Sequence, residues 1–180
     1  LWWRDTKTNE WRMLLDEKRD GKLVWPLWRK EGGDSFYVEV AESGRPNYLA
    51  VLDPSSGRLT PVYQPKTADI GRLLRKADRS DAFAVENYDG SGRGGYVFLQ
   101  PNSAESQMMK ALSAEFPGEL TAITGFSDDA KYASVVVYGD VNPGEYYIYD
   151  DTSKKLSAPI KIRPNINPDN AAVTEPLVFK

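Results

Sequence analysis

Leu52-Asp53-Pro54-Ser55-Ser56-Gly57-Arg58-Leu59 joins the apolar end of one strand to the start of the next through an aspartate-led turn. The pattern recurs. Arg4-Asp5-Thr6-Lys7-Thr8-Asn9-Glu10-Trp11 lies 48 positions earlier (53 − 5), and Tyr149-Asp150-Asp151-Thr152-Ser153-Lys154-Lys155-Leu156 lies 97 later (150 − 53). Leu99-Gln100-Pro101-Asn102-Ser103 falls at the intervening register, 47 positions after Asp53 (100 − 53). Near-equal spacing marks a repeat protein, and a period of roughly 40 to 50 residues built from short strands is the signature of propeller blades, each a four-stranded antiparallel sheet.

Working outward, Leu1 to Arg4 and Trp11 to Leu15 read as a hairpin, followed by a charged loop from Asp16 to Lys22. Leu23 to Trp28 is apolar, but Pro26 argues against a regular central strand. Phe36 to Val40, Tyr48 to Leu52 and Leu59 to Gln64 complete one set of four. Ile70 to Arg75, Ala82 to Tyr88 and Tyr96 to Leu99 begin a second. Here a helix replaces the fourth strand: Asn102-Ser103-Ala104-Glu105 reads as a capping box, Met108, Met109, Leu112 and Phe116 follow at helical spacing, and Pro117-Gly118 stops it. Thr121 to Phe126, Tyr132 to Tyr138, Glu145 to Tyr149 and Leu156 to Ile162 give a third set. The expected architecture is therefore all-β, about three and a half propeller blades with one short edge helix. Residues 1–15 form half a blade, and residues 23–64, 68–116 (with helix 102–116) and 119–162 form one blade each. Residues 163–180 form an exit linker, in which Pro168 could open one helical turn, and a strand from Pro176 to Lys180.

Composition narrows the chemistry. The 180 residues are 41% hydrophobic and 12% aromatic, enough for a packed core, and the net charge of −3 creates no global field toward nucleic acid or an anionic membrane. With no histidine and no cysteine, this chain cannot itself build a Ser-His-Asp triad, a cysteine nucleophile, a disulfide or a zinc site with nitrogen or sulfur ligands. No apolar run approaches the ~20 residues that span a bilayer. The start Leu1-Trp2-Trp3-Arg4 lacks an initiator methionine and a signal pattern, so the chain reads as an excised, soluble piece, with cytoplasm and periplasm both open.

The aspartate turns, the helix from Asn102 to Phe116, and the exit from Arg163 to Lys180 together resemble the propeller domain of prolyl oligopeptidase-family serine peptidases. The likeness is to bacterial acylaminoacyl-peptidase or dipeptidyl-peptidase members, with Gly125-Phe126-Ser127-Asp128-Asp129 and Gly144 to Asp150 matching a last blade. In that family the propeller caps an α/β-hydrolase domain. The resemblance implies a non-catalytic lid that gates peptide substrates and docks on the hydrolase domain of a parent peptidase. The alternative is a stand-alone propeller-like scaffold completed by self-association or a complementing chain. No G-x-S-x-G elbow is present, so no catalytic residue is carried over.

The remaining motifs favour structure over chemistry. Gly90-Ser91-Gly92-Arg93-Gly94-Gly95 runs from strand to strand without a Walker lysine and reads as a hairpin loop rather than a phosphate cradle. Asp128-Asp129 and Asp150-Asp151 lack calcium-loop spacing and read as turn closers. Arg72, Arg75, Lys76 and Arg79 form the one basic cluster; without interleaved aromatics it reads as a solvated rim or a docking face for a partner, not a nucleic-acid site. Trp2, Trp3, Trp11, Trp25 and Trp28 suit an inter-blade core better than a carbohydrate platform. No catalytic, cofactor-binding or metal-binding residue is assigned. The first strands, Ile70 to Arg75 and Thr121 to Phe126, are expected to line a central channel.

Overall fold

The computed structural model describes residues 1–88, 94–175, 177 and 179. Its strands form four separate antiparallel sheets, each drawn from one contiguous stretch of chain. The first is a hairpin of β1 (Trp2–Arg4) and β2 (Trp11–Met13). A one-turn helix, α1 (Glu17–Asp20), stands where the sequence suggested only a charged loop. Asp16 caps it by accepting from the Arg19 amide, and Gly21 closes it at φ 64°. The second sheet is the meander β3 (Lys22–Arg29), β4 (Phe36–Glu42), β5 (Tyr48–Asp53) and β6 (Arg58–Tyr63). Pro26 lies inside β3 because β3 is an edge strand, and the register shifts between Pro26 and Trp28 to accommodate it.

The third sheet has three strands, β7 (Ile70–Arg75), β8 (Ala82–Tyr88) and β9 (Gly94–Phe98). Helix α2 (Ala104–Glu115) follows, capped by Ser103, whose hydroxyl accepts from the Ser106 amide. The cap is one residue later than the expected box, and the Glu105 carboxylate instead accepts from the Ala77 amide across the sheet. The fourth sheet comprises β10 (Leu120–Phe126), β11 (Tyr132–Tyr138) and β12 (Glu145–Asp150), completed by two short strands, β13 (Lys155–Leu156) and β14 (Ile160–Lys161), both paired to β12. The expected single strand from Leu156 to Ile162 is thus broken in two. A 3-10 turn occupies Pro168–Asn170, capped by Asn167.

Three apolar clusters join the sheets in series. Leu14, Leu15 and half-buried Trp3 pack on Val38, Val40 and Leu52, joining first to second. Tyr37 and Leu49 on the opposite face of the second sheet meet Ile70 and Val85 of the third. Phe83, Met109 of α2, Ile123 and Val135 join third to fourth. The second sheet is covered on both faces, which accounts for the near-continuous apolar run of β5, Tyr48-Leu49-Ala50-Val51-Leu52.

This arrangement overturns the propeller expectation. The four sheets are discrete and open, and among the described residues no core cluster links the first to the fourth. Among the described residues no ring closes and no central channel forms for β7 and β10 to line. The aspartate repeat reports something more local. Asp5 accepts from the Lys7 amide at 2.7 Å, Asp53 from the Ser55 amide at 2.8 Å, and Asp150 from the Thr152 amide at 2.8 Å. Any antiparallel meander can use such a turn, whether or not its sheets close into a ring. Gln100, at the intervening register, makes no such turn; its amide donates to buried Asp81 and to the Ala82 carbonyl, tying the end of β9 to the start of β8.

Candidate functional site

The edges of β7 and β10 face each other across an open groove of about 230 Å³. Its lining combines residues of the buried core with a set of basic side chains. Leu74, Phe83 and Ile123 belong to the cluster that joins the third and fourth sheets, with Phe126 packed against it. Arg72, Arg75, Lys76 and Arg79 line the same groove. They gather because β7 runs straight into the Asp78 turn, so strand residues and turn residues converge at one end.

The four cations are not equivalent. Arg72 is held by Glu86, whose side chain is 5% exposed and accepts from the Arg72 backbone amide at 3.0 Å, from Nε at 3.0 Å and from the guanidinium at 2.7 Å. That hydrogen bonding raises the Arg72 pKa and fixes its charge. A Cβ on Gly71 would sit 2.7 Å from the Glu86 carboxylate, so glycine makes room for the pair. Lys76 lies 3.8 Å from Glu31. The Arg75 guanidinium stacks over the Trp28 ring at 4.4 Å, and Trp28 Nε1 donates to the Arg79 carbonyl at 3.2 Å. Among the described residues neither Arg75 nor Arg79 joins a salt bridge. Two guanidinium groups therefore remain without a carboxylate partner among the described residues, one of them braced by an indole.

A larger depression, about 660 Å³, lies between Tyr88, Tyr138 and Tyr146 on one side and Ile162 and Ile166 on the other. Its charged groups are engaged within the chain: Arg72 with Glu86, Arg163 with the Pro143 carbonyl, and Asp140 with the Thr174 amide. The β7–β10 groove keeps more unspent donors.

The other sequence motifs divide. Gly94 and Gly95 open β9, whereas residues 90–93 of the glycine-rich stretch, and residues 176, 178 and 180 of the expected exit strand, lie outside the described residues. Asp129 and Asp150 close turns by accepting from the Lys131 and Thr152 amides, and Asp151 pairs with Lys154. No group of three or more potential metal ligands occurs among the described residues. Trp3 turns inward onto Phe36, edge to face at 5.3 Å, while Trp2 and Trp11 are 59% and 64% exposed on the outer face of the first sheet. The tryptophans therefore do not form one inter-blade core. The basic cluster was visible in sequence; its aromatic partner, Trp28, was not.

No protein-family model matches the chain, no curated protein matches it, and no solved structure matches it. Together with the open sheets, this removes the support for a prolyl oligopeptidase-family propeller. A substrate-gating lid requires a channel, and a self-completing propeller scaffold requires blades set around an axis. Neither role has a structural basis here. No helix among the described residues is long and apolar enough to cross a membrane.

Proposed function

We propose that the chain is a non-enzymatic peptide-binding module whose β7–β10 groove receives an extended, acidic segment of a partner protein. The reading rests on one observation: among the described residues Arg75 and Arg79 line the β7–β10 groove and join no salt bridge. Guanidinium groups bind carboxylates through two parallel hydrogen bonds.

Fluorescence anisotropy with a labelled peptide alternating Glu and Leu, compared with one alternating Lys and Leu, tests this. The acidic peptide should bind and the basic one should not. Raising the salt from low to molar concentration should weaken binding, because the rim is exposed and screened. Substituting Arg75→Glu together with Arg79→Glu should weaken it at least about tenfold, equivalent to ~1.4 kcal/mol. Equal binding of the two peptides, or unchanged binding by the double variant, would refute the groove.

A further inference from the structure

We infer that β9 is a self-pairing edge through which two copies of this chain join their third sheets about a twofold axis. The third sheet has three strands; β9 is its last and pairs only with β8 among the described residues. The register runs unbroken from Ala84 opposite Phe98 to Tyr88 opposite Gly94. Leu99 donates its amide to the Phe83 carbonyl at 2.8 Å, which fixes the phase of the ladder. Hydrogen-bonded and non-hydrogen-bonded pairs alternate along an antiparallel ladder. Residues 95, 97 and 99 therefore point their backbone groups toward β8, and Gly94, Tyr96 and Phe98 present theirs to the open edge.

Open strand edges invite pairing, and proteins block them with charges, prolines, bulges or shortness. Among the described residues the other edges of this molecule carry such blocks. Pro26 and Pro61 interrupt β3 and β6. β7 carries Arg72 and Arg75 and shifts register twice, and β10 is bulged between Ile123 and Gly125. β1 and β2 are three residues each, and β13 and β14 two each. By contrast β9, Gly94-Gly95-Tyr96-Val97-Phe98, has no charge, no proline and no register shift.

The absence of charge also selects the occupant. At the twofold axis a residue meets its own copy, so a charge there would oppose its own sign, whereas β9 would set the neutral Tyr96 there. Centred on Tyr96, the antiparallel pair sets Tyr96 against Tyr96 of the second copy and Gly94 against its Phe98. Each of these is a hydrogen-bonded pair exchanging two backbone bonds, and all the groups involved are those left facing outward. The peptide groove lies at β7, the opposite edge of the same sheet, so pairing at β9 leaves it open.

The test is sedimentation velocity of the full chain over a concentration series, with Gly95→Lys and Gly33→Lys variants. A Cβ at either glycine meets nothing within 4 Å and neither has a positive φ, so both variants should fold and both add the same charge. The wild-type chain and G33K should dimerise to twice 20.2 kDa, and hydrogen exchange should show the Tyr96 and Phe98 amides gaining protection with concentration. G95K should raise the dimer dissociation constant at least about tenfold. A wild-type chain that stays monomeric at every concentration overturns the inference. So does a G95K chain that dimerises as tightly as wild type, or a dimer whose β9 amides exchange at the monomer rate.

Discussion

Met109 of α2 is 0% exposed and packs with Phe83, Ile123, Val135 and Tyr147 between the third and fourth sheets. Met109→Ala removes three heavy atoms from that site, worth ~2.4 kcal/mol at ~0.8 kcal/mol for each buried CH₂ equivalent. Neighbouring sheets are held by their own ladders and collapse only partly, so a residual cavity of ~40 Å³ adds ~1 kcal/mol at ~24 cal/mol per Å³. The expected loss is therefore ~3.4 kcal/mol. For a chain of this length that corresponds to a midpoint lower by ~7–14 °C. Glu115→Ala, at the exposed end of the same helix, should change stability by less than ~0.5 kcal/mol. Urea titration followed by two probes gives a sharper reading than one. All five tryptophans lie in the first 28 residues, on or beside the first two sheets, whereas far-ultraviolet circular dichroism sees every strand. If the serial clusters make the four sheets one cooperative unit, M109A moves both transitions together. A loss below ~1 kcal/mol would refute the place given to α2 in the core. A shift in dichroism with tryptophan fluorescence unmoved would refute the cooperative stack.

Two further outcomes follow from local geometry. Hydrogen bonds from the Ser55 and Ser56 side chains and the Ser55 amide lower the Asp53 pKa to about 2, and the Ser127 hydroxyl and Lys131 do the same for Asp129, also to about 2. Asp5, Asp78 and Asp150 shift in the same direction, through hydrogen bonds with Lys7, Ser80 and Ser153. A carboxyl whose folded pKa is depressed contributes stability above its unfolded value near 3.8, and that contribution is lost as pH falls toward 2. Stability measured by denaturant should hold above about pH 5 and fall steadily below about pH 4, with a shallower fall in Asp53→Asn. A wild-type slope in that variant would dissociate the turn from the acid response. Separately, Gly71→Ala should cost ~1–3 kcal/mol by overpacking, since its Cβ would lie 2.7 Å from Glu86 Cβ and 2.9 Å from Tyr88. Gly33→Ala, in open space, should be neutral by the same denaturation assay, and equal effects at the two sites would undo the argument from close approach.

What could be read from the chain was what is encoded locally. Alternation and turn chemistry locate strands because they concern neighbours in sequence: the Asp53 turn, the run Tyr48 to Leu52 and the spacing of Met108, Met109 and Leu112 each carry their own explanation. Whether successive sheets close into a ring is decided by the angle at which faces such as Tyr37–Leu49 and Ile70–Val85 meet, and no single stretch contains that information. Helix α1 carries no apolar period in its four charged residues, and its sequence signals are the Asp16 cap and Gly21. The basic cluster was plain in sequence, but its brace was not, because Trp28 reaches Arg79 across 51 residues. The Arg72–Glu86 pair was hidden for a related reason, since register across β7 and β8, not proximity in the chain, brings the two together.

The serial order of the clusters has a consequence for how the molecule comes apart and how it is made. Among the described residues each sheet is complete within its own span and packs on the sheets before and after it in the chain. Its energetics are then those of a one-dimensional array, a sum of unit terms and nearest-neighbour couplings. The interior sheets, coupled on both faces, should exchange their amides last and the outer ones first. During synthesis the couplings also arrive in chain order, so each hairpin set can dock on a finished surface as it leaves the ribosome, without waiting for a distant strand.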